Sequence, residues 1–551
     1  MQTFQITVDS NVLEKAKHFF NSGLNDILNE LLQNARRAKA SCIWIRTYIE
    51  DGMRFCSIMD DGEGIFKEDV RIALGGSDWD SEIQESENPA GCGLFSLANR
   101  GCQIEANGKR VNITSEAFTG KIPVAIEETE FSNGTRIDFV LNAEESESLE
   151  ETVNKATKYY SLPVYFERTR IKRRDFLEAA LFIKEWSGLR IGVVEETYCW
   201  HDGEINFHGL TVEQNFSHIL LSKAREIYRV KYLTTRIEVI DCPELKLVLP
   251  ARKEVVQNEF LAQLQVECER TIYEYIRKLY AHRLPYQSWE KAKTLGVDLP
   301  EAEPKLYTWV PDCLDNYSGC NGELVDVNDR CLLVDVTDET YDLADYHVFA
   351  HAWNRSGNGI LLEPDPDYAG YSWYNALTKI VDFSVIVQLR DEKEPLERCM
   401  RSTKFQRPDD IRIIYFTLKG NADKEPLANK LSTDIAFISE LDDGIWGGIE
   451  DVTLLITKDS ETNTETLNRL LMNVYFQTSD CTDEFGYDTQ REMFSSEINQ
   501  LINSVLHDED YANRQKIAEL AQKVLAWETP YGKTTQITIK PGGNIDVTFI
   551  D

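Results

Sequence analysis

Glu30 and Asn34 stand four residues apart, one helical turn, and that pair can do chemistry. The carboxylate can take a proton from water while the amide oxygen holds a hard cation. A second carboxylate, Asp60, precedes spaced glycines in Asp60-Asp61-Gly62-Glu63-Gly64, where absent Cβ atoms let a flat ligand approach the backbone. In Gly91-Cys92-Gly93-Leu94-Phe95-Ser96 glycines lead into a helix, whose free N–H groups and positive end suit an anion such as phosphate. Asn133-Gly134-Thr135 then turns into an alternating strand through Phe139. Singly, each is commonplace: a solvated helix face, an Asp-Gly turn, an ordinary glycine-rich bend.

The elements that must position these residues are legible nearby. Leu24, Ile27, Leu28, Leu31, Ala35 and Ala38 share one face at a 3.6-residue period, which predicts an amphipathic helix over 24–40. Beside that stripe Glu30, Asn34 and Arg37 point the same way. Two β-rich runs joined by Asp51-Gly52 predict a hairpin, the second ending at Asp60. Residues 3–9 alternate like a strand and 12–20 read as a helix capped by Ser10 or Asn11. After a helical start at 67–74, residues 75–90 are rich in glycine and acids and poor in aliphatics, the composition of a moving segment.

Composition sets the frame. The 551 residues, 42% hydrophobic and 28% charged, suit a multi-domain α+β protein. No apolar run is long enough for a membrane span, and MQTFQITVDS lacks a secretory leader's pattern, so a cytoplasmic setting without membrane contact is expected. Twelve cysteines are scattered singly and read as reduced core residues. A formal charge of −34 disfavours broad nucleic-acid binding, although a local basic groove stays open.

The four segments stand in one order between residues 30 and 135, and together they resemble the GHKL superfamily. This is the Bergerat-fold ATPase group of gyrase, the large heat-shock chaperones, histidine kinases and MutL-type repair proteins. ELLQNARRA is similar to the family's N-box, DDGEG to its first glycine box, GCGLFS to its lid-closing box and NGT to its last. The resemblance implies a nucleotide-binding domain over 1–145 that hydrolyses ATP with Mg²⁺. Glu30 would be the general base, Asn34 the metal ligand, and Asp60, helped by Thr135, the reader of the adenine amino group. Gly62 and Gly64 would admit the base. Gly91 and Gly93, with the N–H groups of Leu94, Phe95 and Ser96, would cradle the phosphates under a lid at 75–90. Lid closure would tighten a homodimer through residues 3–9. In one departure, Arg37 stands where the family often has an acid.

Farther on, 150–285 resembles the transducer domain of gyrase- and MutL-type proteins. There LVLPARKEV would place Lys253, or secondarily Arg252, on the γ-phosphate. Strands are expected at 189–196 and 236–241, and helices at about 211–228 and 254–282. The cluster Arg168, Arg170, Lys172, Arg173, Arg174 reads as an exposed strand face sooner than a nucleic-acid or acidic-partner patch. Residues 286–400 form an expected acidic domain, with 12 acids against 2 bases over 301–350, and 401–551 a further α/β domain. In the first of these Glu363-Pro364-Asp365-Pro366-Asp367 reads as a loop, and His347 and His351 as paired histidines without a nearby acid. The last segment should hold strands at 411–417 and 452–456, helices near 463–475, 488–506 and 511–527, and a closing hairpin. The expected function is an ATPase switching a protein partner or effector; bacterial stress or anti-phage defence is suggested by analogy alone. A nucleotide-gated binding module with little hydrolysis is the alternative.

Overall fold

The computed structural model describes residues 23–65, 79, 83, 93–197, 203–222, 231–248, 252–311, 322–336, 343–389, 392–395, 405–419, 425–439, 452–475, 487–525 and 533–550. It is an α+β chain of two compact units, residues 1–301 and 302–551.

In the first unit an eight-stranded sheet is built from β1 (Ile43–Glu50), β2 (Met53–Asp60), β3 (Cys102–Ala106), β4 (Lys109–Ile113), β5 (Ile126–Glu128), β6 (Thr135–Val140), β7 (Val164–Phe166) and β8 (Thr169–Arg170). Its order is β5-β4-β3-β6-β2-β1-β7-β8, antiparallel except for the β1–β7 pair. The period of two decides what each face meets. Ile43, Ile45, Cys56, Ile58, Ile104, Ile137 and Phe139 turn to one side and are buried. There they pack with helix α1 (Leu24–Arg37), whose Ile27, Leu28 and Leu31 are buried in the same core, and with α2 (Ala143–Thr157). A reciprocal capping box, Asn142 with Glu145, starts α2. The opposite face carries ionic groups: Arg136 lies 3.0 Å from Asp138 and 3.7 Å from Glu105.

A second sheet, in the order β12-β11-β14-β10-β9, joins β9 (Phe182–Trp186), β10 (Leu189–Glu196), β11 (Gly203–Phe207), β12 (Leu210–Gln214) and β14 (Lys231–Val239), with β13 (Ile219–Ser222) paired to β14. Helix α3 (Glu259–Lys278), capped by the Asn258 side chain, buries Leu261, Leu264 and Cys268 against it. This corrects one expectation. The stretch read as a helix over 211–228 contains strands β12 and β13, because Leu210, Val212 and the apolar run at 219–221 serve a sheet. The helix expected from 254 begins only at Glu259, since Val255 forms a β-bridge with Leu247. Of the basic cluster, only Arg170 is in a strand; all five of its cationic residues are exposed.

The second unit centres on one sheet of strands Cys331–Val334, Ile360–Leu362, Thr378–Leu389, Asp410–Lys419 and Leu427–Thr433. The boundary expected at residue 400 falls inside this sheet. Helix α5 (Leu343–Ser356, following α4, Tyr286–Thr294, in the chain) buries Val348, Phe349, Ala352 and Trp353 in its core. Strand Val452–Ile456, helices Thr464–Tyr475, Tyr487–Leu506 and Glu509–Leu525, and the closing hairpin Thr534–Ile539 with Ile545–Ile550 lie close to their expected places. Among the described residues no helix is long and apolar enough to cross a membrane.

Candidate functional site

Helix α1 carries Glu30 and Asn34 to the backbone of Gly93. A Cβ built on Gly93 would lie 2.9 Å from Glu30 Oε2 and 3.2 Å from Asn34 Nδ2, so only glycine fits there without displacing both side chains. Glu30 Oε2 is buried and has no hydrogen-bond partner, whereas Oε1 is 3.2 Å from Arg252 Nη1. A buried carboxylate oxygen left unsatisfied is costly, and such atoms mark places where something else binds. The adjoining Gly93–Leu97 segment is a five-residue 3₁₀ turn, shorter than the helix expected. Phe95 is buried against Phe118, and the Ser96 hydroxyl donates to the Gly93 carbonyl at 2.7 Å. Those two side chains are thus spent on the fold, and Leu94 is packed at the core's edge.

Asp60 ends β2 opposite Thr135 in β6. Burial pushes its carboxyl up to about 6, against backbone N–H donors from Gly62 and Thr135 that favour the charged form. The Gly62 N–H donates to Asp60 Oδ1 at 2.8 Å, and Gly64 sits at φ +77° with its Cα facing the Asn107 side chain. Gly134, at φ +75°, passes so close to Asp60 that a Cβ would lie 1.9 Å from its carbonyl oxygen. The neighbouring acid is engaged elsewhere. Asp61 accepts from the backbone N–H groups of Ser41 and Cys42 at 2.7 and 3.0 Å, anchoring the start of β1.

Of the two basic residues considered for the second domain, Arg252 reaches Glu30 and Lys253 does not. Lys253 is exposed, 3.8 Å from Asp26 at the surface. Arg252 is 8% exposed and adopts φ +52°, a conformation that costs a non-glycine residue about 1 kcal/mol. Arg37 is buried too, its Nη1 donating to Asn34 Oδ1 at 3.4 Å. Sequence reasoning missed Gln33, whose Nε2 donates to the His208 carbonyl at 3.2 Å, and Tyr160, whose hydroxyl donates to the Leu32 carbonyl. Both tie α1 to later parts of the chain, and no local pattern announces either. Gly91, the expected lid at 75–90 apart from Trp79 and Ile83, the strand at 3–9, the helix at 12–20 and Leu249–Ala251 lie outside the described residues.

The histidine pair of the second unit also differs from expectation. His351 Nε2 is 3.0 Å from Asp434 Oδ1, an acid 83 residues away in sequence that folding brings alongside. Arg355 and Ser460 bind the other oxygen. Burial alone would raise the Asp434 carboxyl; the donors from His351, Ser460 and Arg355 outweigh it and hold the group far below the usual range. Among the described residues no three His, Cys, Asp or Glu side chains converge as a metal site.

No protein-family model matches this chain, and no curated protein matches it in sequence. Among solved structures it is similar to the ATPase region of Saccharomyces cerevisiae topoisomerase II bound to dexrazoxane, at 13% identity and a TM-score of 0.30, over 43% of this chain and 78% of that one. It is also similar to the N-terminal domain of a DNA repair protein, at 12% identity and a TM-score of 0.31, over 48% of this chain and 98% of that one. At that level of likeness neither structure bears on what these side chains do.

Proposed function

We propose that the first unit binds ATP and hydrolyses it as a GHKL-type, Bergerat-fold ATPase. The observation that carries the reading is the buried, unpartnered Glu30 Oε2 held against the Cα of Gly93. That oxygen can accept a proton from a water placed over Gly93, while Arg252 on the other oxygen keeps the carboxylate ionised and fixed. Asn34 fits a hard cation through its amide oxygen, and Mg²⁺ bound there would neutralise phosphate charge. Asp60, as an acceptor-only group, reads the adenine amino group from the end of β2, with Gly62 and Gly64 leaving room beside it. The backbone around Gly93 lies against the phosphates, and the side chains of Phe95 and Ser96 keep that backbone in place. Arg252, more than Lys253, is the group with reach to the terminal phosphate.

Closure of residues 75–90, tightening of a homodimer and action on a protein partner belong to the same proposal and rest on the sequence resemblance, as does a role in stress or anti-phage defence. Phosphate release and calorimetric ATP binding on wild type and Glu30→Gln test the chemistry. Hydrolysis should fall by about 10²-fold or more with binding retained. Unchanged turnover would remove Glu30 from the reaction. Binding with no hydrolysis in the wild type would leave a nucleotide-gated binding module in place of an enzyme.

A further inference from the structure

On the side of α1 that faces the second sheet, a cavity of about 140 Å³ opens between the helix and the loop after β14. Its lining includes Arg36, Arg37, Lys246 and Arg252, with Asp241 the one carboxylate among the described lining residues. Arg252 is answered by Glu30, outside the cavity. Setting Asp241 and Glu30 against the four cations still leaves the lining net positive, in a chain whose formal charge is −34. The arrangement is built. Gln33 anchors its amide nitrogen on the His208 carbonyl, and its Oε1 accepts from both Arg36 Nε and Nη2 at 3.3 Å, which fixes the plane of that guanidinium. Arg37 is held beside it, 7% exposed, by α1 itself. Fixed guanidinium forks suit oxyanions, because each can donate two parallel hydrogen bonds.

Size narrows the ligand. An apolar cavity of about 150 Å³ takes up a six-carbon ring, so this one has room for a group of five or six heavy atoms and none for a nucleoside. We propose that the cavity is a binding site for a small dianionic oxyanion, inorganic phosphate, separate from the nucleotide site. Nothing in it depends on ATP: Glu30, Asp60 and Gly93 do not line it.

The test uses the full-length protein without nucleotide. Calorimetry with inorganic phosphate should give one saturable site, and acetate, a monoanion, should bind far more weakly. Arg36→Gln and Lys246→Gln should each weaken phosphate by about tenfold, the worth of one charge-assisted hydrogen bond. Lys246 is exposed, so its replacement leaves folding intact and keeps the test informative if Arg36→Gln misfolds. Gly93→Ala, which crowds Glu30, should leave phosphate binding unchanged. Three results would each overturn the proposal: no saturable binding, acetate as tight as phosphate, or phosphate lost in Gly93→Ala and kept in both cavity variants. A protein that binds phosphate here and fails to hydrolyse ATP keeps this site and loses the ATPase reading.

Discussion

Asp60→Asn should make the protein more stable and worse at binding ATP, with both effects dependent on pH. Burial moves the carboxyl from an ordinary value of 3.8 to about 6. The folded state therefore binds the proton more tightly than the unfolded chain does. The cost of the buried charge is absent below pH 3.8 and fully present above pH 6. That interval corresponds to about 3 kcal/mol. An asparagine removes the charge while its amide oxygen still accepts from Gly62 N–H, though a second acceptor is lost. A net gain of about 1–2 kcal/mol at pH 8, shrinking toward zero near pH 4, is expected. Binding should move the other way. An acceptor-only carboxylate facing the adenine amino group is replaced by an amide, a loss of about 1.5–3 kcal/mol. In the wild type, protonation of Asp60 should also make affinity fall about tenfold between pH 7 and pH 5, one unit below its titration point. Chemical denaturation at pH 4 and pH 8, with calorimetry across pH 5–8, measures both. Subtracting the variant's pH profile cancels the protonation of ATP itself. A variant less stable than wild type at pH 8, or identical affinity slopes in the two proteins, would refute the reasoning.

Other substitutions probe neighbouring parts. Gly134→Ala should cost about 3 kcal/mol or more, because its Cβ would meet the Asp60 carbonyl at 1.9 Å and its φ of +75° suits glycine; denaturation midpoints check it. Arg252→Ala should leave Glu30 without its ion partner and cut turnover at least tenfold, whereas Lys253→Ala, losing one exposed pair, should stay within about 1 kcal/mol of wild type in stability; phosphate release and thermal melts separate the two. Asp434→Ala should destabilise the second unit by about 3 kcal/mol, since it strands His351 and Arg355 beside a buried site. Because the Asp434 carboxyl is held far below its usual range, its contribution is present above about pH 4 and lost progressively in stronger acid, which an acid titration followed by circular dichroism would read.

Elements with a strong local signal were legible from sequence, and those decided by packing were not. The stripe from Leu24 to Ala38 and the Asp51-Gly52 turn each specify one local geometry, and α1 and the β1–β2 hairpin stand where those patterns put them. Residues 211–228 offered apolar spacing that suits either period. The choice went to strands because β14 supplied a partner edge for Ile219 and Leu220. The five-residue turn at Gly93 defeats a helix reading for another reason. Phe95 must enter the core and Ser96 must return to the Gly93 carbonyl, and a tighter turn satisfies both. The Asp434 site joins residues that lie 26 and 83 positions apart, a separation no local pattern encodes.

The candidate site teaches the same lesson at closer range. Residue types and spacing were enough to propose Glu30, Asn34 and Asp60, since chemistry restricts what can stand at such places. Choosing between Arg252 and Lys253 was beyond them, because adjacent residues of one charge differ only in where the backbone aims them. The positive φ of Arg252 turns its side chain inward while Lys253 stays exposed at the surface. A conformation that costs about 1 kcal/mol persists only where surrounding contacts exceed it, and here the contact is an ion pair with a buried carboxylate. The Glu30–Arg252 pair therefore joins α1 to the loop after the second sheet, and a group bound at Glu30 must alter that pair. Movement of the second sheet's loop with occupancy of the first follows from this one connection, without any contact between ligand and second sheet.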